Sequence, residues 1–255
     1  MKIYYTQIQE FKDTDFAGIL PMEIDERGRS YKSESARLAY YAARFLELHV
    51  FGDEVFDLRS HSKNGKPCAI GNVHYCISHH GDYCILTVSD FEHGCDIIKP
   101  FSCEDVSRLK NLISNRLRIA KRYFSAEEAG SLTSCANALI SENALNLRDF
   151  SAFEAQFCAS WAWRESIIKS CDALYDYPTR NYSGEGLSEK YIYIEKQCVV
   201  FRILFLEQHI VSIAVPFDIT NFHNEDEHIS YRNKMSEILD KIDVESVSLN
   251  SPVSV

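Results

Sequence analysis

The chain has 255 residues, 45% hydrophobic and 25% charged, which is enough for one large domain or two small ones with a packed core. Its formal net charge of −10 argues against general nucleic-acid binding, which needs a clustered basic surface, but it allows a local basic patch around an anionic ligand. No apolar run is long enough to span a bilayer, and the first residues lack the apolar core of a signal peptide.

The first half predicts a strand at 2–8 and then a helix from Ser33 to His49, whose apolar residues recur at helical spacing until Gly52 ends it. A loop at 60–67 follows. The turn residues after it separate three predicted short strands, at 73–77, 83–89 and 94–98.

The second half predicts a helix near 104–122 and a short helix that begins at Ser125-x-x-Glu128, a capping-box pattern. A second capping box, Ser151-x-x-Glu154, is predicted to start a long helix through Lys169. Three strands then follow, at 191–196, 199–206 and 209–215. Because both halves run from helix to antiparallel strands, the sequence predicts an α+β protein of two similar lobes, each a helix packed on a small antiparallel sheet.

These lobes are predicted to cover residues 1–100 and 101–217. After Pro216 the composition becomes polar and charged, with only a weak helical pattern around Met235 and Leu239. We therefore expect residues 218–255 to form a polar tail that is disordered or lightly docked.

Nine cysteines are many, but the number is odd and no Cys-x-x-Cys motif occurs. Cys68, Cys76, Cys84 and Cys95 lie mostly among apolar neighbours, where thiols usually act as small hydrophobic groups. The nine histidines show neither an HExxH motif nor zinc-like Cys/His spacing. We expect reduced, structural cysteines in a cytoplasmic protein.

Glu165 continues a row of aromatic residues on the predicted long helix. Phe153, Phe157 and Trp161 stand four residues apart, and the next positions in this row are Glu165 and Lys169. One interpretation is a surface Glu–Lys pair at i, i+4. The other is a carboxylate at the rim of the core, which needs a partner such as a metal ion or a cleft.

Asp96 stands among apolar residues in the predicted strand at 94–98, where an acid is disfavoured by β propensity. Alternation along the strand places it on the same face as Ile98. Either the carboxylate caps a strand end, or it is one arm of a magnesium site, because Mg²⁺ prefers oxygen ligands and often takes one or two carboxylates.

Ser78 and His79 end a predicted strand and enter the turn His80-Gly81-Asp82. A Ser/His nucleophile pair lacks the G-x-S-x-G motif, and adjacent strand residues point apart, which also disfavours a metal site at His79-His80. Contact with a phosphate by hydroxyl, imidazole and turn N–H groups fits better. The alternative is a hairpin turn with incidental histidines.

Two further basic residues could contact an anion. Gly65-Lys66-Pro67 predicts a turn with Lys66 at its apex, although such a turn usually marks only a loop. Arg37 lies beside the apolar face of the first predicted helix, where an arginine either pairs with a phosphate or extends its charged end to solvent.

Taken in order, these motifs are G-K-P at 65–67, I-S-H-H-G-D at 77–82, G-C-D-I at 94–97, F-S-A-E-E at 124–128 and W-A-W-R-E-S-I-I-K at 161–169. Together they resemble the 4′-phosphopantetheinyl transferases of the surfactin-synthetase-activating type, whose motifs read approximately G-K-P, I-S-H-S, G-I-D-x-E, F-x-x-x-E and W-x-x-K-E-x-x-x-K. The resemblance covers roughly residues 1–215. It implies the pseudo-dimeric fold of that family and, by analogy, a monomer.

The resemblance implies a magnesium-dependent transferase that moves the phosphopantetheine arm of coenzyme A to a serine of an apo acyl or peptidyl carrier protein and releases 3′,5′-ADP. Asp96 and Glu165 match the metal ligands, and Glu165 also matches the group that accepts the serine proton, directly or through water. The matching catalytic residues are Glu165, Lys169 and His79. The residues that match the coenzyme A-binding positions are Arg37, Lys66, Pro67, Ser78, His79 and Lys169.

Two departures from the family pattern concern the metal and the long helix. Ile98 replaces a second acid that many relatives carry, so a three-carboxylate site is excluded there, and the preference between Mg²⁺ and Mn²⁺ stays open. Arg164 replaces the usual lysine and keeps its charge. An alternative function is therefore a non-catalytic nucleotide-binding relative with a weakened metal site; a Ser/His hydrolase is disfavoured because no nucleophile elbow is present.

A basic run at 115–122 suggests how a partner could dock. It carries four basic residues, and acyl or peptidyl carrier proteins of fatty-acid, polyketide or nonribosomal peptide synthesis are typically acidic. We hypothesise that this run contacts the carrier protein; the alternative is an ordinary solvated helix face. No nucleic-acid or membrane partner is expected.

Overall fold

In the computed structural model, two four-stranded sheets lie side by side, and helices pack against each of them. The structure describes residues 1–102, 106–141, 147–172, 191–194 and 196–249. This arrangement confirms the α+β class that the sequence predicts.

The first sheet has the strand order β2-β3-β1-β8. Its strands are β1 (Lys2–Gln7), β2 (His74–His80), β3 (Tyr83–Ser89) and β8 (Asp243–Ser246). The strand β3 pairs antiparallel with β1 on one side and with β2 on the other, whereas β8 runs parallel to β1. The central strand β3 is almost entirely buried, so this sheet forms the core of the first lobe.

The helix α2 (Glu34–Phe51) packs on the first sheet, and α1 (Met22–Arg29) and the short α3 (Val55–Leu58) pack on α2. The longest, α2, begins after Ser33, whose side chain accepts a hydrogen bond from Ala36 N. It ends at Gly52, whose φ of 73° favours glycine. The predicted helix is thus confirmed, with two more residues at its C-terminal end.

The second sheet has the strand order β4-β7-β6-β5 and is antiparallel throughout. Its strands are β4 (Gly94–Ile98), β5 (Tyr191–Ile194), β6 (Gln197–Leu206) and β7 (His209–Asp218). The predicted lobe boundary at residue 100 therefore does not coincide with the sheets, because β4 pairs with β7 of the second lobe. All five residues of β4 are buried. Its sequence therefore shows no alternation of buried and exposed positions that would indicate which sheet it joins.

Three helices precede the long strands of the second sheet: α4 (Val106–Tyr123), α5 (Ala126–Ser141) and α6 (Leu147–Ser170). The predicted start of α4 at Glu104 lies outside the described residues. At the start of α5 the capping box is confirmed, because Ser125 Oγ accepts from Glu128 N and Glu128 Oε2 accepts from Ser125 N.

The second predicted capping box is wrong. Because α6 already includes Leu147, Ser151 lies inside the helix. The carboxylate of Glu154 instead accepts hydrogen bonds from Phe101 N at 3.2 Å and from the Arg116 guanidinium at 2.6 and 3.0 Å. A buried acid with these partners explains the glutamate without a cap.

The C-terminal segment differs from the predicted tail. Residues Glu225–Asp240 form the helix α7, which packs on β6, and β8 then joins the first sheet. Met235 and Leu239 are buried in a core that both sheets share. Their burial stabilises the segment, and Tyr231, Ile238 and Ile242 pack against the same core while partly exposed. No helix within the described ranges combines the length and the apolar character needed to cross a bilayer.

Candidate functional site

The candidate site lies where the two sheets meet, along the edge strands β2 and β4. Cys95 N on β4 donates a hydrogen bond of 3.3 Å to Cys76 Sγ on β2. Two residues further along β2, Ser78 Oγ donates to Asp96 Oδ1 at 2.7 Å. The junction therefore places a hydroxyl from the first sheet against a carboxylate from the second.

Gly94 sets the distance between β4 and α6. A Cβ at this position would lie 2.1 Å from Ser166 O and 2.3 Å from Ser170 N, both backbone atoms of α6. Only glycine allows this approach. The close contact brings the helix row of Glu165 and Lys169 beside the strand that carries Asp96.

Lys169 completes a three-residue cluster with Ser78 and Asp96. Its Nζ lies 2.6 Å from Asp96 Oδ1 and 3.0 Å from Ser78 Oγ. Burial by itself would lower the pKa of Lys169, but the Asp96 carboxylate and the Cys76 and Cys95 thiols together outweigh burial and raise that pKa above its usual range. Lys169 is therefore a permanent cation at physiological pH.

Two adjoining clefts share Ile77, Glu165 and Lys169. The first has a volume of about 320 Å³, and the chemically active side chains in its wall are Ser78, His79, His80, Asp96, Glu165 and Lys169. The second has a volume of about 260 Å³ and is lined by Asn64, Gly65, Lys66, Pro67, Cys76 and Asp172, besides the shared residues and Ile168. A ligand with several charged groups could extend across both.

The loop with the G-K-P turn is attached to the C-terminal end of α6. Ser62 Oγ donates to Asp172 Oδ1 at 2.6 Å, and Asn64 Nδ2 donates to Asp172 O. Lys66 Nζ donates to Ser170 O at 2.8 Å and to Glu92 Oε1 at 2.7 Å. The backbone dipoles of α6 favour cations at this end, so two lysines, Lys66 and Lys169, converge there.

The two histidines of the predicted turn both line the first cleft. His79 is exposed to solvent at the cleft wall, and desolvation together with the nearby Lys169 ammonium lowers its pKa. His80 Nδ1 accepts a hydrogen bond of 3.0 Å from Lys99 N, and desolvation likewise lowers the pKa of His80. Both rings are therefore largely neutral at pH 7, and each can donate one hydrogen bond.

The structure brings most of the predicted site residues together. Ser78, His79, Asp96, Glu165 and Lys169 line the first cleft, while Lys66 and Pro67 line the second. Arg37, in the first turns of α2, is not among the residues that line either cleft. Arg164 points away from the site, since its guanidinium binds Glu128 and the carbonyl oxygens of Tyr123 and Ser160.

A buried charged cluster next to the G-K-P turn was not predicted. Glu47 is fully buried on α2, and its carboxylate binds Arg44 at 3.0 Å and Arg59 at 3.4 Å. Burial raises the pKa of Glu47 to about 7. Arg59 lies two residues before His61, which forms a β-bridge with Pro67. The signal in the sequence was Arg44 and Glu47, three residues apart among the apolar residues of the second half of α2.

The donor set of the first cleft suits a hard divalent cation. Asp96 and Glu165 are 7% and 8% exposed, so both carboxylates are held at the cleft wall by the surrounding protein. Ile98 lines the same cleft and supplies no ligand. In the part of the chain that the structure describes, no cluster of three or more His, Cys, Asp or Glu side chains is arranged around a metal position. Two carboxylates fit Mg²⁺ when substrate oxygens and water complete its shell.

The chain shows only a weak structural similarity to a known protein and no sequence match. No protein-family model and no curated protein matches the chain. Among solved structures, part of the chain is similar to holo-ACP-synthase from Plasmodium yoelii, with a TM-score of 0.32 and 13% sequence identity over 49% of this chain and 93% of that one. A likeness of this degree says nothing about the activity of the chain.

Proposed function

We propose that the chain transfers the 4′-phosphopantetheine arm of coenzyme A to a serine of an apo acyl or peptidyl carrier protein and releases 3′,5′-ADP. The observation that supports this most directly is that Asp96 and Glu165, from different elements, line one cleft together with Lys169. Phosphoryl transfer depends mainly on positioning and charge neutralisation, and this cleft supplies both anionic metal ligands and a cation.

In the proposed reaction the carrier-protein serine oxygen attacks the phosphorus that bears the pantetheine arm. A new P–O bond forms to the serine, and the bond to the leaving 3′,5′-ADP breaks. Glu165 accepts the serine proton, directly or through water. Lys169, at the boundary of the two clefts, neutralises charge on the diphosphate and on the leaving group.

A divalent cation held by Asp96 and Glu165 would supply further neutralisation of the diphosphate charge. His79 would donate a hydrogen bond to a phosphate oxygen, because its neutral ring is exposed at the cleft wall. Lys66 and Pro67 would form the wall of the second cleft beside the nucleotide. Beyond them, Arg44 and Arg59 share a single carboxylate, that of Glu47. Because two cations face one anion, this cluster favours an additional anionic group of the ligand.

The test is a transfer assay. The purified chain is incubated with coenzyme A, Mg²⁺ and one apo carrier protein after another, and the carrier protein is weighed by mass spectrometry. A gain of one phosphopantetheine, lost when EDTA replaces Mg²⁺, is the expected result. Coenzyme A binding without any mass gain would instead support the non-catalytic nucleotide-binding protein that the residue Ile98 suggests.

A further inference from the structure

The Ser78 hydroxyl is already hydrogen-bonded to the carboxylate of Asp96. Ser78 is 6% exposed on β2. Its hydroxyl donates to Asp96 Oδ1 at 2.7 Å, and its oxygen accepts from Lys169 Nζ at 3.0 Å. A serine hydroxyl has one proton to donate. While that proton is directed to Asp96, Ser78 has none for a phosphate oxygen.

The same cluster occupies one oxygen of Asp96. Oδ1 accepts from both Ser78 Oγ and Lys169 Nζ, whereas Oδ2 accepts no hydrogen bond from the residues that the structure describes. Two donors on one oxygen fix the rotation of the carboxylate about its Cβ–Cγ bond. They also leave the second oxygen as the one that can bind a cation.

We propose that Ser78 is a positioning residue that orients the Asp96 carboxylate for a divalent cation, and that it is not a phosphate ligand. The inference rests on the proposed function only in taking Asp96 as a metal ligand. It differs from the role implied by the resemblance of the I-S-H-H segment, in which Ser78 and His79 both contact phosphates. Residues that hydrogen-bond a ligating carboxylate commonly change metal affinity by about 10- to 100-fold when removed.

His79 provides the matched comparison. It is the next residue on β2 and lines the same cleft, but it is exposed, whereas Ser78 is buried against Asp96. A residue that contacts phosphate should alter the coenzyme A KM when replaced. A residue that orients Asp96 should alter the affinity for the metal.

The experiment titrates Mn²⁺ alone into the protein and follows free Mn²⁺ by electron paramagnetic resonance, so no turnover is needed. We expect Ser78→Ala to weaken Mn²⁺ binding about 10- to 100-fold. Ser78→Thr keeps the hydroxyl and should bind Mn²⁺ within about threefold of the unmodified chain, while His79→Ala should leave the Mn²⁺ affinity unchanged. Circular dichroism melting of each variant checks that it is folded.

Kinetics then separates the two roles. At saturating metal, Ser78→Ala should keep the coenzyme A KM, whereas His79→Ala should raise it. The proposal is overturned if Ser78→Ala binds Mn²⁺ as the unmodified chain does, if Ser78→Thr loses the affinity as well, or if the unmodified chain binds no Mn²⁺. Mn²⁺ affinity that depends on Ser78 in a chain without transfer activity would keep this inference and reject the proposed function.

Discussion

The carbonyl oxygen of Ser166 on α6 would lie only 2.1 Å from a Cβ atom added to Gly94 on β4. This contact joins the strand that carries Asp96 to the helix that carries Glu165 and Lys169. Gly94→Ala must therefore separate helix and strand. We expect a loss of about 3 kcal/mol or more in the free energy of unfolding, at the upper end of overpacking costs, together with loss of transfer.

Gly130 offers the control for that substitution. It lies in α5, and a Cβ there would meet no atom within 4 Å. Gly130→Ala should stabilise the chain by about 0.5–1 kcal/mol, because alanine favours a helix. Urea denaturation of both variants measures the difference. If Gly94→Ala were as stable as the unmodified chain, the close packing of β4 on α6 would be incorrect.

Removing charge from the carboxylates proposed to bind the metal, Asp96 and Glu165, should strongly reduce the proposed transfer while keeping the shape of the site. Glu165→Gln and Asp96→Asn are each expected to lower kcat/KM by about 10³-fold, since a bound metal contributes several kcal/mol to such reactions. The mass-spectrometric assay measures the loss. Full activity in either variant would contradict the proposed chemistry.

The basic run on α4 is the surface that we hypothesise to contact the proposed carrier protein. Arg116 is bound to Glu154, so the exposed Arg118 and Lys121 are the better candidates. Charge reversal at both positions (R118E/K121E) should raise the carrier-protein KM by about tenfold and leave the coenzyme A KM unchanged. The double variant K234E/K241E changes the net charge equally on another face and should alter neither value. Equal effects of the two variants would remove the docking hypothesis.

Docking of the C-terminal segment should contribute to stability. Met235 and Leu239 are 4% and 2% exposed, so Met235→Ala and Leu239→Ala should each lower the free energy of unfolding by about 2–5 kcal/mol. Met22, which is 75% exposed, provides the control, and Met22→Ala should change stability little. Thermal unfolding of the three variants and the unmodified chain measures these changes in stability. A segment that does not pack on the sheets would show no such difference.

His93 should make stability depend on pH. Burial lowers its pKa to about 4, whereas an unfolded histidine titrates near about 6.5. Between these values the unfolded chain binds a proton that the folded chain does not, so His93 lowers the free energy of unfolding as the pH falls from 6.5 to 4. The full loss is about 3 kcal/mol.

The test measures the free energy of unfolding of the unmodified chain and of each variant at pH 7 and at pH 4.5. We expect His93→Gln to reduce the decrease between these two pH values by most of that amount. His223→Gln, at an exposed position, should leave the decrease unchanged. An identical pH dependence of His93→Gln and the unmodified chain would show that His93 is not buried in its neutral form.

Local patterns in the sequence determined most of the elements. Apolar spacing defined α2 and every strand except β8, and Ser125-x-x-Glu128 marked the start of α5, because propensities and caps act over a few residues. The same kind of pattern failed at Ser151, where Glu154 has a tertiary partner, Arg116, that no local rule contains. The polar composition of the C-terminal segment likewise obscured α7, of which only Met235 and Leu239 are fully buried.

For the candidate site too, the sequence indicated some features and only the tertiary structure showed the others. The motifs alone indicated Ser78, Asp96, Glu165 and Lys169 as residues with chemistry, and the structure places all four at one cleft. Only the tertiary structure decided that β4 belongs to the second sheet, that Gly94 allows α6 to approach it, and that Ser78 donates to Asp96. Strand pairing and side-chain hydrogen bonds between distant segments depend on the packing of the whole chain, and a sequence pattern carries no information about which distant partner is chosen.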